Sequence, residues 1–562
     1  MDDGDAHFSS TGASTDGPQS WASSAQEGRP AERISRRAFI RCAILLTLAF
    51  MTWQAVWAIV TPPFRTPDEP THYNSVLRGA TTFDWPAVGT AGMEEGVMQA
   101  ATEAGVLVDG VVGTSRRDRT VLQETEAVPS FYDAVITPHN SRLHVRYTGD
   151  SRAETRDQMT QHPPLYYWMA GRLLRTVGGS DWAWDRQLLF LRLFSVVLSA
   201  PVVPCLVYAA RRIGLARHWS LTAGTLVFFV PQLAFVTAAV SNDSLSVGAG
   251  AVTIAACAAA AFGTGSWRSV VATGCALGLG LWTKGLFLPM GLVVGLAFLS
   301  NGSIGPLSRR LIRATAAGGL GVLVGGFWWV RNLIAFGQLQ PDGMMRETAN
   351  VNPQVGYFLR TGGPTLLHSS WGKLGWLEWQ LPLPLLLVLE IGTVALVLVA
   401  FVRGRERLRL GVLLAYYPLT LLVLLGVSWR AYAHTGVVAG VQGRYLFPGI
   451  VGLLAIVAVA MALPDRRRAA RSINGVADLP ARSRVQTIVG VVGFLVSACS
   501  LWAWAHVCYP SGAFGIDWDR WSLVAGLDPA WLVVTACGGV LALGVAVVVP
   551  VVAGGVRDRR CQ

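Results

Sequence analysis

Charge is scarce in this sequence. Aspartate, glutamate, lysine and arginine make up 14% of its 562 residues, against 52% hydrophobic residues, and the mean hydropathy is +0.43. A soluble chain of that length would need polar surface for several domains, and this one does not have it. Apolar runs long enough to cross a bilayer recur instead. The eight cysteines form no framework. Cys205, Cys257, Cys275 and Cys537 lie within apolar segments, where cysteine behaves as a small hydrophobe. Cys499 and Cys508 fall near one predicted membrane face, where a disulfide is open to them. No CxxC pair or His/Cys cluster has zinc-site spacing, and no glycine-rich phosphate loop leads into a helix.

What charge there is falls in a pattern. The net charge of +12 comes from short arginine clusters between apolar runs, the pattern of cytoplasmic membrane loops rather than of a nucleic-acid-binding surface. Arg33, Arg36, Arg37 and Arg41 precede the first run, and Arg211, Arg212 and Arg217 follow a later one. Further clusters occur at Arg309–Arg313, Arg403–Arg409, Arg466–Arg484 and Arg557–Arg560. Keeping every cluster inside predicts about twelve spans, near 43–61, 187–209, 219–240, 245–263, 268–283, 285–300, 314–334, 383–402, 410–428, 445–463, 485–505 and 531–553. Both termini are then cytoplasmic. Residues 1–42 read as a disordered tail, 43–464 as the main membrane domain, and 465–562 as a C-terminal pair of spans with a short tail. The loop 61–186 is the one external segment large enough to fold on its own.

That loop opens with Thr61-Pro-Pro-Phe-Arg-Thr-Pro-Asp-Glu-Pro-Thr-His72. Pro67 and Pro70 constrain the backbone where it leaves the membrane, setting Asp68, Glu69 and His72 at the lipid–water boundary. A carboxylate there suits a general base, and it equally suits the acidic first turn of an interfacial helix. Taken alone, the structural alternative is favoured. The segment Gln161–Arg172, with His162-Pro-Pro-Leu-Tyr-Tyr, reads as a helix lying in the interface, and His162 alone is better read as a helix-start turn. Asp243, Lys284, Arg331, Arg430 and Arg444 stand at predicted outer helix ends. A cation at membrane depth costs about 2.5–3.5 kcal/mol on insertion scales, so it has a partner or a purpose unless it snorkels to the headgroups. Arg430 fits snorkelling. Lys284 does not, because it interrupts an apolar stretch from Val270 to Leu299. The arginine clusters alone set the orientation, yet all these groups fall on one side.

Together with Ser369-Ser-Trp-Gly-Lys-Leu-Gly-Trp376 and Val441-Gln-Gly-Arg-Tyr-Leu-Phe-Pro448, the Pro67–His72 and His162 motifs resemble a bacterial family of predicted multi-spanning membrane proteins of unassigned function. That family is similar to the GT-C superfamily of membrane glycosyltransferases. The resemblance covers roughly 41–464. It implies an all-α, GT-C-like integral membrane fold, with interfacial helices in the large external first loop. It also implies an inverting transfer from a polyprenyl-phosphate-linked sugar to a glycan, lipid or protein acceptor at the outer face of the plasma membrane. Asp68 is then the base with Glu69 its close competitor, and His72, His162, Lys284, Arg331, Gln442, Arg444 and Tyr445 serve the substrate. The first loop departs from the family pattern between about 92 and 132. No ligand set for an assisting divalent metal is legible.

Two rivals remain. A flippase or transporter of lipid-linked saccharides suits twelve spans, but no repeat of the first half is visible in the second. A noncatalytic envelope-assembly protein would use the first loop as a binding module.

Overall fold

The computed structural model describes residues 34–108, 111–112, 136–149, 151–343, 352–471 and 479–555. Most of the predicted N-terminal tail, residues 109–110 and 113–135 of the first loop, and the last arginine cluster lie outside the described residues. Helix α1 (Arg36–Val60) starts at Ser35, whose hydroxyl accepts from the Ala38 amide. It stops where Pro62 and Pro63 remove two amide donors in succession.

Every predicted span is helical, but the count of twelve is not reproduced. Among the described residues, eight helical segments are long and apolar enough to cross a membrane: Arg36–Val60, Trp184–Arg212, Asn242–Phe262, Leu383–Arg403, Arg407–Thr435, Gly443–Asp465, Arg484–Cys508 and Ala530–Ala553. Two bent pairs raise the number to ten. Arg217–Phe229 meets Pro231–Thr237 at 74°, and Leu307–Gly325 meets Phe327–Phe336 at 70°. Pro231 and the Gly325-Gly326 step explain the bends, since each interrupts the helical backbone. The remaining two predicted spans are short. Trp267–Leu281 has 15 residues, about 22 Å at 1.5 Å per residue, against a hydrocarbon core of about 30 Å. Its partner, Gly285–Leu299, follows across a break at Thr283-Lys284.

Asn242–Phe262 and Gly443–Asp465 form the centre of the bundle, whereas Leu383–Arg403 leaves Leu387, Val388, Ile391, Val394 and Leu398 exposed to lipid. Lipid tails are as apolar as leucine, so helices associate through close packing at small residues. Gly248 and Gly250 provide it. A Cβ on Gly248 would lie 2.1 Å from the Leu198 carbonyl oxygen, and one on Gly250 2.3 Å from that of Pro448. The second contact pins the Gln442–Pro448 segment against the start of the central helix.

The first loop folds over one end of the bundle. Helix α2 (Glu69–Thr81) crosses α3 (Leu165–Thr176), the predicted interfacial helix, backbone against backbone at Gly79 and Gly171. Asp157 fastens the loop by accepting from Asn74 and Ser75 (2.8 Å each) and Arg78 (2.7 Å). Small antiparallel pairs, Gly92–Glu94 with Ser151–Arg156 and Leu107–Val108 with Val111–Val112, add β structure that the all-α expectation did not include. Arg142 pairs with Asp185 at 2.6 Å and donates to the Leu523 and Val524 carbonyls, joining the first loop to the one before the last helix. Cys499 and Cys508 are both free thiols on one helix, Leu479–Cys508.

Candidate functional site

Asp68 stands at the N-cap of α2 with φ at 62°, the left-handed region that few side chains enter, aspartate and asparagine more often than most. An aspartate at this position ordinarily turns its carboxylate onto the first helical amides. Here it makes no capping bond. Oδ2 instead accepts from Arg444 Nη2 at 2.7 Å, and Oδ1 accepts from Gln158 at 3.2 Å. Asp68 and Glu69 thus do open a helix, but the Asp68 side chain does not bond that helix's amides. A strained backbone aims a half-buried carboxylate across the fold.

Glu69 has a different fate. Its carboxylate is fully buried and gripped at both oxygens by Arg192 of α4 (Trp184–Ser199), at 2.8 and 2.6 Å. The Val240 amide adds a third bond. Arg192 spends its remaining donors on the carbonyls of Ala58, Thr61 and Pro62. This clamp ties α1, α2, α4 and the stretch before the central helix together. Arg192 was not singled out from the sequence, although an arginine inside the apolar run 188–208 is a signal that an acid must meet it.

The central helix α5 (Asn242–Phe262) brings Asp243 to the same place. Asp243 Oδ1 accepts from Lys284 at 2.7 Å, and Oδ2 lies 3.7 Å from Arg444 Nη1. Lys284, one of two lysines in the whole sequence, sits 4.5 Å from the centre of the Tyr445 ring. Asp68, Arg444, Asp243 and Lys284 thus form one continuous chain of alternating charge, drawn from segments hundreds of residues apart.

The histidines flank this chain and are neutral. His72 bridges the Tyr167 hydroxyl (Nδ1, 3.0 Å) and the Ser241 hydroxyl (Nε2, 3.3 Å), with its ring stacked on Tyr167. Burial pushes it down to about 3; the positive charges of Lys284 and Arg444 add to this, while Asp68 and Asp243 pull the other way. His162 is driven well below the usual histidine range, first by burial and then by Lys284, and its Nδ1 has no hydrogen-bond partner. Near it, further buried polar atoms without a hydrogen-bond partner include Asn242 Oδ1, Asp243 Oδ2, Gln442 Oε1 and Arg444 Nε.

Arg331 is not brought into this chain. It is half-buried, lies over the Trp328 ring at 4.8 Å and donates to its neighbour Asn332. Arg430 is exposed. One of the motif segments acts as framing. Ser369 Oγ accepts from the Gly443 amide at 2.8 Å, and the Trp376 indole donates to the Phe64 carbonyl at 2.9 Å. The Ser369–Trp376 stretch therefore holds both the chain leading to Asp68 and the turn that carries Arg444. Among the described residues no group of three or more His, Cys, Asp and Glu side chains could hold a metal ion.

A family model described as "Predicted membrane protein (DUF2142)" matches residues 51–453. No curated protein matches the chain. Among solved structures, ArnT from Cupriavidus metallidurans in the apo state aligns with 14% identity and a TM-score of 0.43, over 91% of this chain and 76% of that one. The same protein bound to undecaprenyl phosphate aligns with 13% identity and a TM-score of 0.45, over 91% and 75%.

Proposed function

The chain belongs to the DUF2142 family of predicted membrane proteins, and for this member we propose a sugar transferase that uses a polyprenyl-phosphate donor at the outer face of the plasma membrane. One observation carries the reading. A partly exposed carboxylate on left-handed backbone, Asp68, pairs with buried Arg444, which faces the Asp243 that holds a second buried cation, Lys284. Acid and cations at contact distance are what a displacement at a sugar phosphate needs: a proton acceptor beside a site for the leaving phosphate.

In this mechanism Asp68 takes the proton of an acceptor hydroxyl, and that oxygen attacks the anomeric carbon. The bond from that carbon to the phosphate oxygen breaks, and the electron pair leaves with the lipid phosphate onto Arg444 and Lys284. Configuration inverts, because attack and departure occur on opposite faces. Glu69 is not the base, since Arg192 and the Val240 amide occupy both of its oxygens. His72 and His162, neutral and buried, orient the acceptor or the phosphate by hydrogen bonding rather than by charge. Gln442 and Tyr445 line the same turn as Arg444 and contact the donor.

The test is transfer of labelled sugar in membranes carrying the full-length protein. Asp68→Asn should lower the rate by at least about 100-fold, the scale of a lost general base. A variant as active as the wild type would sink the reading.

A further inference from the structure

Arg444 offers more hydrogen-bonding capacity than the protein uses. A guanidinium presents Nε and Nη2 along one edge as a two-pronged fork that matches the paired oxygens of a carboxylate or phosphate. Here Nη2 holds Asp68 at 2.7 Å, while Nε is buried with no hydrogen-bond partner. Asp68 grips one prong because its other oxygen is turned to Gln158, itself set by the neighbouring Asp157 clamp. The guanidinium side chain is 4% exposed, and its backbone is fixed by the Gly443 bond to Ser369 and the close seat of Pro448 on Gly250. The fork is rigid, buried and half-filled.

We infer that the phosphate of the lipid donor takes both prongs of Arg444, displacing Asp68, so that donor binding itself unmasks the base. This rests on the transferase reading and adds an order of events to it. The two carboxylates near Arg444 differ in freedom. Asp243 is 4% exposed and locked to Lys284 at 2.7 Å, whereas the Asp68 side chain is 20% exposed. Asp68 is therefore the partner that leaves. Asp243 stays, holding Lys284 in place as the second cation beside the phosphate. A carboxylate relieved of a guanidinium partner is the better proton acceptor, so the acceptor hydroxyl meets an active base once donor is bound. No bond is made or broken in this step; one ion pair replaces another.

The experiment measures binding by full-length protein in detergent, with farnesyl phosphate as the probe and farnesol and inorganic phosphate as comparisons. Exchange predicts that Asp68→Asn, which replaces the charged competitor for the fork with a weaker, neutral one, binds farnesyl phosphate about 5- to 50-fold more tightly than wild type. The gain must also depend on the fork. Asp68→Asn added to Arg444→Lys should give less than a twofold change, because lysine has no second prong. If the gain persists in the lysine background, simple loss of negative charge explains it and the exchange is overturned. Equal or weaker binding by Asp68→Asn overturns it as well, and so does an equal gain for farnesol. An equal gain for inorganic phosphate keeps the exchange and assigns it to soluble phosphate. Transfer assays separate the two proposals. Asp68→Asn that loses transfer without tighter binding leaves the transferase and removes the exchange; Asp68→Asn that still transfers removes the transferase.

Discussion

The carboxylate of Asp68 lies 2.7 Å from the guanidinium of Arg444, although Asp68 holds the N-cap of a helix whose amides it could have bonded. The residues are 376 apart in sequence. A cap gives typically about 1 kcal/mol to its helix, and the left-handed backbone at Asp68 costs of the order of 1–3 kcal/mol. The fold forgoes the one and carries the other to keep this acid facing a buried cation. Such an arrangement is expected at a site of chemistry rather than in a helix start.

Asp68→Asn should therefore be a clean probe. Asparagine enters the left-handed region more readily than most residues, and its carbonyl oxygen still accepts from Arg444. Thermal unfolding in detergent should show a change of less than about 1 kcal/mol. A loss of several kcal/mol would mean that the ion pair is a structural strut.

Glu69 should behave in the opposite way. Removing one member of a buried, hydrogen-bonded ion pair strands the other, at a cost of about 3–5 kcal/mol. Glu69→Ala is expected to lower the melting temperature sharply and to reduce the amount of folded protein in membranes. Replacing both partners, Glu69→Met with Arg192→Met, should recover much of that loss, since no charge is left unpaired. Equal destabilisation by the single and double variants would show that the Arg192 bonds to the Ala58, Thr61 and Pro62 carbonyls dominate.

The contrast between these adjacent acids marks how far the sequence could be read. Pattern and composition reveal the apolar helices, the large first loop, the motifs that carry Asp68, His72 and Arg444, and Lys284 as a break in an apolar stretch, because hydropathy and proline are local signals. Partnership is not local. Nothing beside Glu69 shows that it belongs to Arg192, or that Asp243 stands between Lys284 and Arg444. The count of twelve spans is not reproduced for a related reason. Hydropathy reports that a segment is apolar, but not that Pro231 or Lys284 divides it into pieces too short or too bent to cross alone.

Acid should destabilise the protein through its buried histidines. His72 falls from the ordinary histidine value of 6.5 to about 3 because burial penalises the charged ring, so between these values the unfolded chain binds the proton and the folded one does not. Stability is complete above about pH 6.5 and falls as pH is lowered, by up to about 1.4 kcal/mol per pH unit for this residue. His162 acts in the same direction. Unfolding measured from pH 7.5 to 4.5 should show the decline, and His72→Gln should make it shallower. An unchanged slope would place the proton uptake elsewhere.

The crossing of α2 and α3 gives a last prediction, about the frame rather than the chemistry. A Cβ on Gly79 would come within 2.5 Å of the Tyr167 carbonyl oxygen, and one on Gly171 within 2.4 Å of the Val76 carbonyl oxygen. Backbone atoms cannot swing aside as a flexible side chain can, so the helices must separate. Gly79→Ala or Gly171→Ala should cost about 1–3 kcal/mol, the scale of overpacking a tight contact. Separation would also shift Tyr167 relative to His72, and with it the residues that flank Asp68. Gly291 and Gly295 are the control, because a methyl group there meets nothing within 4 Å. Alanine at either should be neutral or stabilising by up to about 1 kcal/mol, as helix propensity alone requires. If all four substitutions behave alike in thermal unfolding and in transfer, close approach of α2 and α3 is not what holds the first loop over the site.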